Sequence, residues 1–229
     1  MRIKAVLLDL DDTLWPVAPV ISHAEHCLQQ WIAEHVPEVA REHDVASMRA
    51  RRQILQASDP RFQYDLWALR HTLLTQIFAE YGVHADQADR AMAVFAHARN
   101  QVNLYDDVEP ALTQLAQRVR LGTVSNGFAD LAAIGLADFF SVSIAAHRFG
   151  AAKPAPQIFH AACAALDMAP AEVLYVGDDL LLDVQGAQQA GLQAAGMNRH
   201  DSAAKNDVRF AHIRPQLELK NLHELLSCV

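Results

Sequence analysis

"AVLLDLDDTLW" runs from Ala5 to Trp15. Its apolar start leads directly into three carboxylates within four positions: Asp9, Asp11 and Asp12. A short run with no polar alternation is what a strand covered on both faces looks like, and parallel α/β sheets bury both faces. Like charges this close repel, and burying them is costly unless something neutralises them. A metal cation or a role in chemistry accounts for such acids at the end of a buried strand.

The pattern recurs along the chain. Val119–Val124 is a second apolar run and ends at Ser125, Asn126 and Gly127. Val142–Ala146 is a third, and Val173–Val176 a fourth that ends at Gly177, Asp178 and Asp179. Gln193–Met197 reads as a fifth. Helical patterns lie between them, at Pro110–Arg118, Ala129–Leu136, Pro156–Leu166 and Leu180–Ala190. This alternation predicts an α/β fold with a doubly wound, mostly parallel sheet. The end of the chain, with Leu217, Leu219, Leu222 and Leu225, reads as a short strand or loop and a closing helix. In such a sheet ligands bind outside the carboxyl ends of the strands. Asp9, Asp11, Ser125, Asn126, Asp178 and Asp179 all fall there.

Residues 16–103 differ. They contain no convincing strand and read as amphipathic helices over His26–His35, Ala46–Gln56, Leu66–Tyr81 and Asp86–Ala98. On the third, Leu66, Leu69, Leu73, Ile77 and Phe78 form one stripe. The expected organisation is therefore an α/β core of 1–15 and 104–229, interrupted by an all-helical insert of 16–103. Pro16, Pro19 and the Tyr105–Asp107 loop are candidate hinges.

The bulk numbers narrow the function. The chain has 229 residues, 52% of them hydrophobic and 20% charged, which suits one large domain or one domain plus an insert. A net charge of −8 argues against nucleic acid and against anionic membrane surfaces as partners. Arg2 and Lys4 precede an apolar run that stops at Asp9, too short for a signal-peptide core. No stretch approaches the roughly 18 apolar residues of a membrane span. The three cysteines, Cys27, Cys163 and Cys228, form no CxxC pair, so the expectation is a cytoplasmic, reducing environment. The twelve histidines include His23 and His26 at helical spacing, but no HExxH, and read as solvated helix faces.

Four motifs together resemble the haloacid dehalogenase superfamily. They are the apolar strand ending in Asp9, Asp11 and Thr13, then Ser125 in "TVSNG", Lys153 in "AAKPAPQIF", and "GDDLLLD" with Gly177, Asp178 and Asp183. All four occur in the superfamily's order. The resemblance implies a Rossmann-like core with a helical cap and a magnesium-dependent phosphomonoesterase that works through an aspartyl-phosphate. Asp9 would be the nucleophile and Asp11 the general acid and base. Asp9, Asp178 and the Asp11 backbone carbonyl would hold Mg2+. Ser125, Asn126 and Gly127 would hold phosphoryl oxygens, aided by a helix N-terminus. Lys153 would place positive charge against Asp9 and the phosphate. Asp183 would orient Lys153 or a metal-bound water, and Asp179 would be a secondary metal partner. As ordinary structure, Asp12 reads as a solvated loop residue or cap, Thr13 as a cap, and Asp178 and Asp179 as helix-start acids.

A helical insert at this point of the chain resembles the superfamily's caps, which close over small phosphorylated metabolites. Trp67 and Arg70, at i and i+3 on one helix, are candidate specificity contacts, with core and surface roles as the alternatives. "DLDDTLW", "LWALR", "GLADFF" and "VGDDLLLDVQGAQQAG" look like phosphatases of flavin mononucleotide and of the ribityl-amino-uracil phosphate of riboflavin synthesis. A phosphomutase would use the same residues. A dehalogenase would use Asp9 but would have no need of Asp11. A non-enzymatic phosphate-accepting module would lack the helical insert.

Overall fold

Val6, Leu7 and Leu8 of strand β1 (Ala5–Leu8) have no exposed surface, because β1 lies in the middle of a sheet. The computed structural model describes residues 3–199, 210 and 212–229, so Arg2 lies outside the described residues. The other strands are β2 (Arg120–Ser125), β3 (Val142–Ala145), β4 (Val173–Gly177), β5 (Gln193–Met197) and β6 (Leu217–Leu219). They form a six-stranded sheet in the order β3-β2-β1-β4-β5-β6, and every described pairing is parallel. The order reverses direction at β1, which has β2 on one side and β4 on the other. That switch point is where an open α/β sheet leaves a crevice.

The chain divides into two compact units. One comprises Met1–Pro16, Asn103–Gly127 and Gly135–Val229, and the other Val17–Val102 and Phe128–Ile134. The second unit is helical. It holds α1 (Val17–His35), α2 (Pro37–Glu42), α3 (Val45–Ser58), α4 (Leu66–Glu80) and α5 (Asp86–Arg99). Helix α1 starts at Val17, well ahead of the clear apolar period at His26. Pro19 does not stop it, because a first-turn residue has no intrahelical use for its N–H. Asp44 and Asp65 begin α3 and α4 by accepting from Ser47 N at 2.7 Å and Ala68 N at 2.9 Å. Leu28 and Ile32 of α1, Leu73, Ile77 and Phe78 of α4, and Met92 and Phe95 of α5 form the core. This core also takes in Phe128, from a short stretch that the sequence pattern alone attaches to the α/β part.

In the α/β unit, α6 (Val108–Leu115) leads into β2. Helix α7 (Leu131–Ile134) belongs to the helical unit. Helices α8 (Ala146–Phe149), α9 (Pro156–Ala165) and α10 (Gly186–Gln189) follow β3 and flank β4. The helix expected over 180–190 is instead a π-helical turn, Leu180–Gln185, continued by α10. The closing helix is a 3-10 turn, Leu222–Ser227, with Leu222 and Leu225 buried at its three-residue repeat. Among the described residues no helix is long and apolar enough to cross a membrane.

Candidate active site

Register places the motifs side by side. Leu8 pairs with Thr123 on β2 and with Val176 on β4. One step on, Asp9 donates its amide to Val176 O at 2.9 Å, and Ser125 and Gly177 end the two flanking strands. Asp9, Asp11, Ser125, Lys153, Asp178 and Asp183 consequently line one open cavity of about 170 Å³.

Lys153 organises it. The side chain is buried, and its Nζ donates to Asp9 Oδ1 at 2.6 Å, Asp183 Oδ1 at 2.6 Å and Tyr175 Oη at 2.9 Å. An ammonium has three protons, so these three bonds use all of them. Tyr175 Oη in turn donates to Val124 O at 2.9 Å. The lysine backbone is fixed by Asn126, whose Oδ1 accepts from Lys153 N at 2.8 Å and whose Nδ2 donates to Lys153 O at 3.1 Å. Asp183 is held from the other side: its Oδ2 accepts from Asp179 N at 3.0 Å. Gly177 makes room for it, since a Cβ there would lie 2.3 Å from Asp183 Oδ2. That close approach is why the fourth motif needs glycine.

Carboxylate oxygens of Asp9, Asp178 and Asp183 lie within 4.8 Å of one another. Against one ammonium, three ionised carboxylates leave two negative charges in excess. Burial pushes Asp9 up to about 7, with Asp183 and Asp11 adding to the rise and Lys153 opposing it. Burial likewise pushes Asp178 up to about 8, helped by Asp183, Asp9 and Asp12. Burial alone would lower Lys153, but Asp183 and Asp9 hold it well above the ordinary lysine range. Oxygen donors with two charges in excess are the set a hard divalent cation takes.

The sequence model of haloacid dehalogenase-like hydrolases matches residues 3–191. The chain belongs to the haloacid dehalogenase-like hydrolase family. It is similar to the 5-amino-6-(5-phospho-D-ribitylamino)uracil phosphatase YigB of Escherichia coli, with 29% identity over 100% of this chain and 97% of that protein. It is also similar to a glyceraldehyde 3-phosphate phosphatase of Methanopyrus kandleri, with 30% identity over 99% of this chain and 97% of that one. Among solved structures, a 2-haloacid dehalogenase from Pseudomonas syringae matches with a TM-score of 0.90 and 35% identity, over 99% of this chain and 98% of that one.

On this haloacid dehalogenase-like frame, the remaining residues have definite places. Ser125 is buried, and its Oγ accepts from Gly127 N at 3.0 Å, so that amide is engaged within the turn. No long helix follows: α7 is one turn and starts at Leu131. Asp179 Oδ1 accepts from Leu181 N and Leu182 N, both at 2.8 Å, and so starts the π-helical turn. Asp11 Oδ1 accepts from Trp15 Nε1 at 2.8 Å. In the helical unit, Trp67 is partly exposed and stacked on His71 with ring centroids 5.0 Å apart. Arg70 is buried, 3.7 Å over the Phe95 ring and 3.6 Å from Glu25, which also pairs with Arg49 and Arg52. Sequence reasoning missed Tyr175 and Arg199. Arg199 donates to Thr13 O at 2.7 Å and to Asp107 Oδ1 at 2.6 Å, which ties down the first-motif loop. A tyrosine inside an apolar strand was the available signal for the first, because a buried hydroxyl needs a partner.

Proposed function

We propose that the chain is a magnesium-dependent phosphomonoesterase of the cytoplasm, acting on a small phosphorylated metabolite through an aspartyl-phosphate. The observation that carries this reading is the convergence of Asp9, Asp178 and Asp183 around Lys153 at the switch point of the sheet. Asp9 attacks phosphorus: its carboxylate oxygen forms the new bond as the ester oxygen leaves. Asp11 gives that oxygen a proton, then takes one from the water that attacks the aspartyl-phosphate and frees inorganic phosphate. Lys153 holds Asp9 in place through Oδ1 and offsets part of its charge, while Asp183 and Tyr175 hold Lys153. Ser125 faces the same cavity as a donor to phosphoryl oxygens.

Asp9 and Asp178 fit a hard divalent ion, with the Asp11 carbonyl as a further ligand; when bound, magnesium would neutralise the excess charge beside the transferring phosphoryl group. The helical unit serves as the substrate-selecting cap, with the partly exposed Trp67 as its candidate contact; Arg70 is instead engaged inside the helical unit by Glu25 and Phe95. The activity for which the E. coli relative is named and the scattered motif likeness both favour a ribityl phosphate, including flavin mononucleotide, as substrate.

Phosphate release from a panel of phosphorylated metabolites, measured with magnesium and with chelator, tests this. Asp9→Asn is expected to cut turnover roughly a thousandfold or more with the fold intact. Near-normal activity in that variant would overturn the mechanism. The Pseudomonas syringae likeness favours a second reading, dehalogenation of a 2-haloacid. Halide leaves without a proton, so that chemistry makes no use of Asp11 as an acid. Halide release from 2-chloropropionate, in place of phosphate release, would support it.

A further inference from the structure

The indole of Trp15 has no exposed surface. A buried indole N–H needs a partner, and this one donates to Asp11 Oδ1 at 2.8 Å. The backbone enforces the pairing. Asp12 takes a left-handed conformation, φ 56°, and donates its amide to Trp15 O at 2.7 Å, while Leu14 N reaches Leu10 O at 2.8 Å. The chain therefore turns back on itself, and Asp11 and Trp15 pair as an isolated bridge.

We propose that Trp15 is a positioning residue for proton transfer by Asp11, its N–H fixing Oδ1 so that the proton travels on Oδ2. The proposal rests on the phosphomonoesterase reading and deepens it. In the first step the bond from phosphorus to the ester oxygen breaks as Asp9 bonds to phosphorus, and the proton on Asp11 Oδ2 passes to the departing oxygen to give the alcohol. In the second step Oδ2 takes a proton from water, whose oxygen displaces Asp9 from phosphorus. A carboxyl free to rotate about its last torsion would present either oxygen to the ester. One anchored at Oδ1 presents a single oxygen at a fixed angle, and misplacement of a reacting group costs rate steeply.

A tryptophan that only fills space would affect every substrate alike, whereas one that aims an acid matters according to the leaving group. An alkoxide must be protonated as it departs; p-nitrophenolate leaves readily without a proton. Trp15→Phe keeps the ring and removes the donor. Relative to p-nitrophenyl phosphate, its kcat/KM for flavin mononucleotide, a primary alkyl phosphate, is expected to fall about tenfold or more. The ratio of two substrates does not depend on what fraction of the variant is folded. Asp11→Asn sets the reference, with a larger drop in the same ratio. If Asp11→Asn lowers the ratio and Trp15→Phe does not, the positioning role is overturned and the acid role stands. If neither lowers it, the acid role itself fails. The indole N–H resonance of Trp15 gives a readout independent of turnover: it is expected to shift when Asp11 becomes Asn, and an unmoved resonance would also overturn the proposal.

Discussion

Burial lifts Asp9 to about 7 and Asp178 to about 8, from an ordinary value of 3.8. Between those limits the folded chain without metal holds protons that the unfolded chain has released. Stability then falls as pH rises. The contribution is complete below the unfolded value and is lost as pH passes through about 7 to 8. In chelator, the melting temperature is therefore expected to drop between pH 5 and pH 8. Magnesium should flatten that drop, because it binds the ionised carboxylates and stabilises the state that holds it. Asp178→Asn should flatten it as well, without magnesium; an unchanged slope in that variant would mean the acid is not the source. At this scale the acids that converge on the cavity were legible because acids seldom crowd the end of an apolar strand. Tyr175 and Trp15 were not, since either reads as core until its polar atom is seen to find a partner.

Among the elements, strands were read nearly to the residue, because continuous apolar runs bounded by polar turns have no helical rival of that length. Helix character was harder. The sequence from Leu180 to Ala190 has an apolar helical pattern, yet Val184 N reaches Asp179 O, five residues back, at 3.2 Å. Nothing in composition separates such a π turn from an α-helix; the bonds of Asp183 to Lys153 and to the Asp179 amide decide it. The contact of Gly177 with Asp183 makes this turn testable. Gly177→Ala must displace the carboxylate that anchors Lys153, and is expected to cost roughly 2–3 kcal/mol in urea denaturation and to reduce turnover. Wild-type stability in that variant would show that the turn can shift freely.

Across the molecule, the alternation of strand and helix was enough to predict a doubly wound sheet, and the long run of amphipathic helical pattern without strands suggested a separate helical unit. Two features needed the folded chain. Phe128 joins the helical core through a contact between residues far apart in sequence, and Arg199 reaches Thr13 in the same way. Neither leaves a local pattern. The helical unit also hides an ionic group that composition cannot place: Glu25, buried, with three arginines around it. Removing Glu25 would leave the buried Arg70 without its compensating charge, which is strongly destabilising, whereas loss of the exposed Arg49 leaves Glu25 still paired.

The central position of β1 has a consequence during synthesis. Strand β1 leaves the ribosome before either strand that houses it: its neighbours are residues 120–125 and 173–177. The helical unit, by contrast, is entirely made once residue 134 has emerged. On ribosomes stalled after residue 165, a protease is expected to spare residues 17–102 and to cut within residues 1–16, so that the strand leading into Asp9 waits, unshielded, for a partner not yet translated.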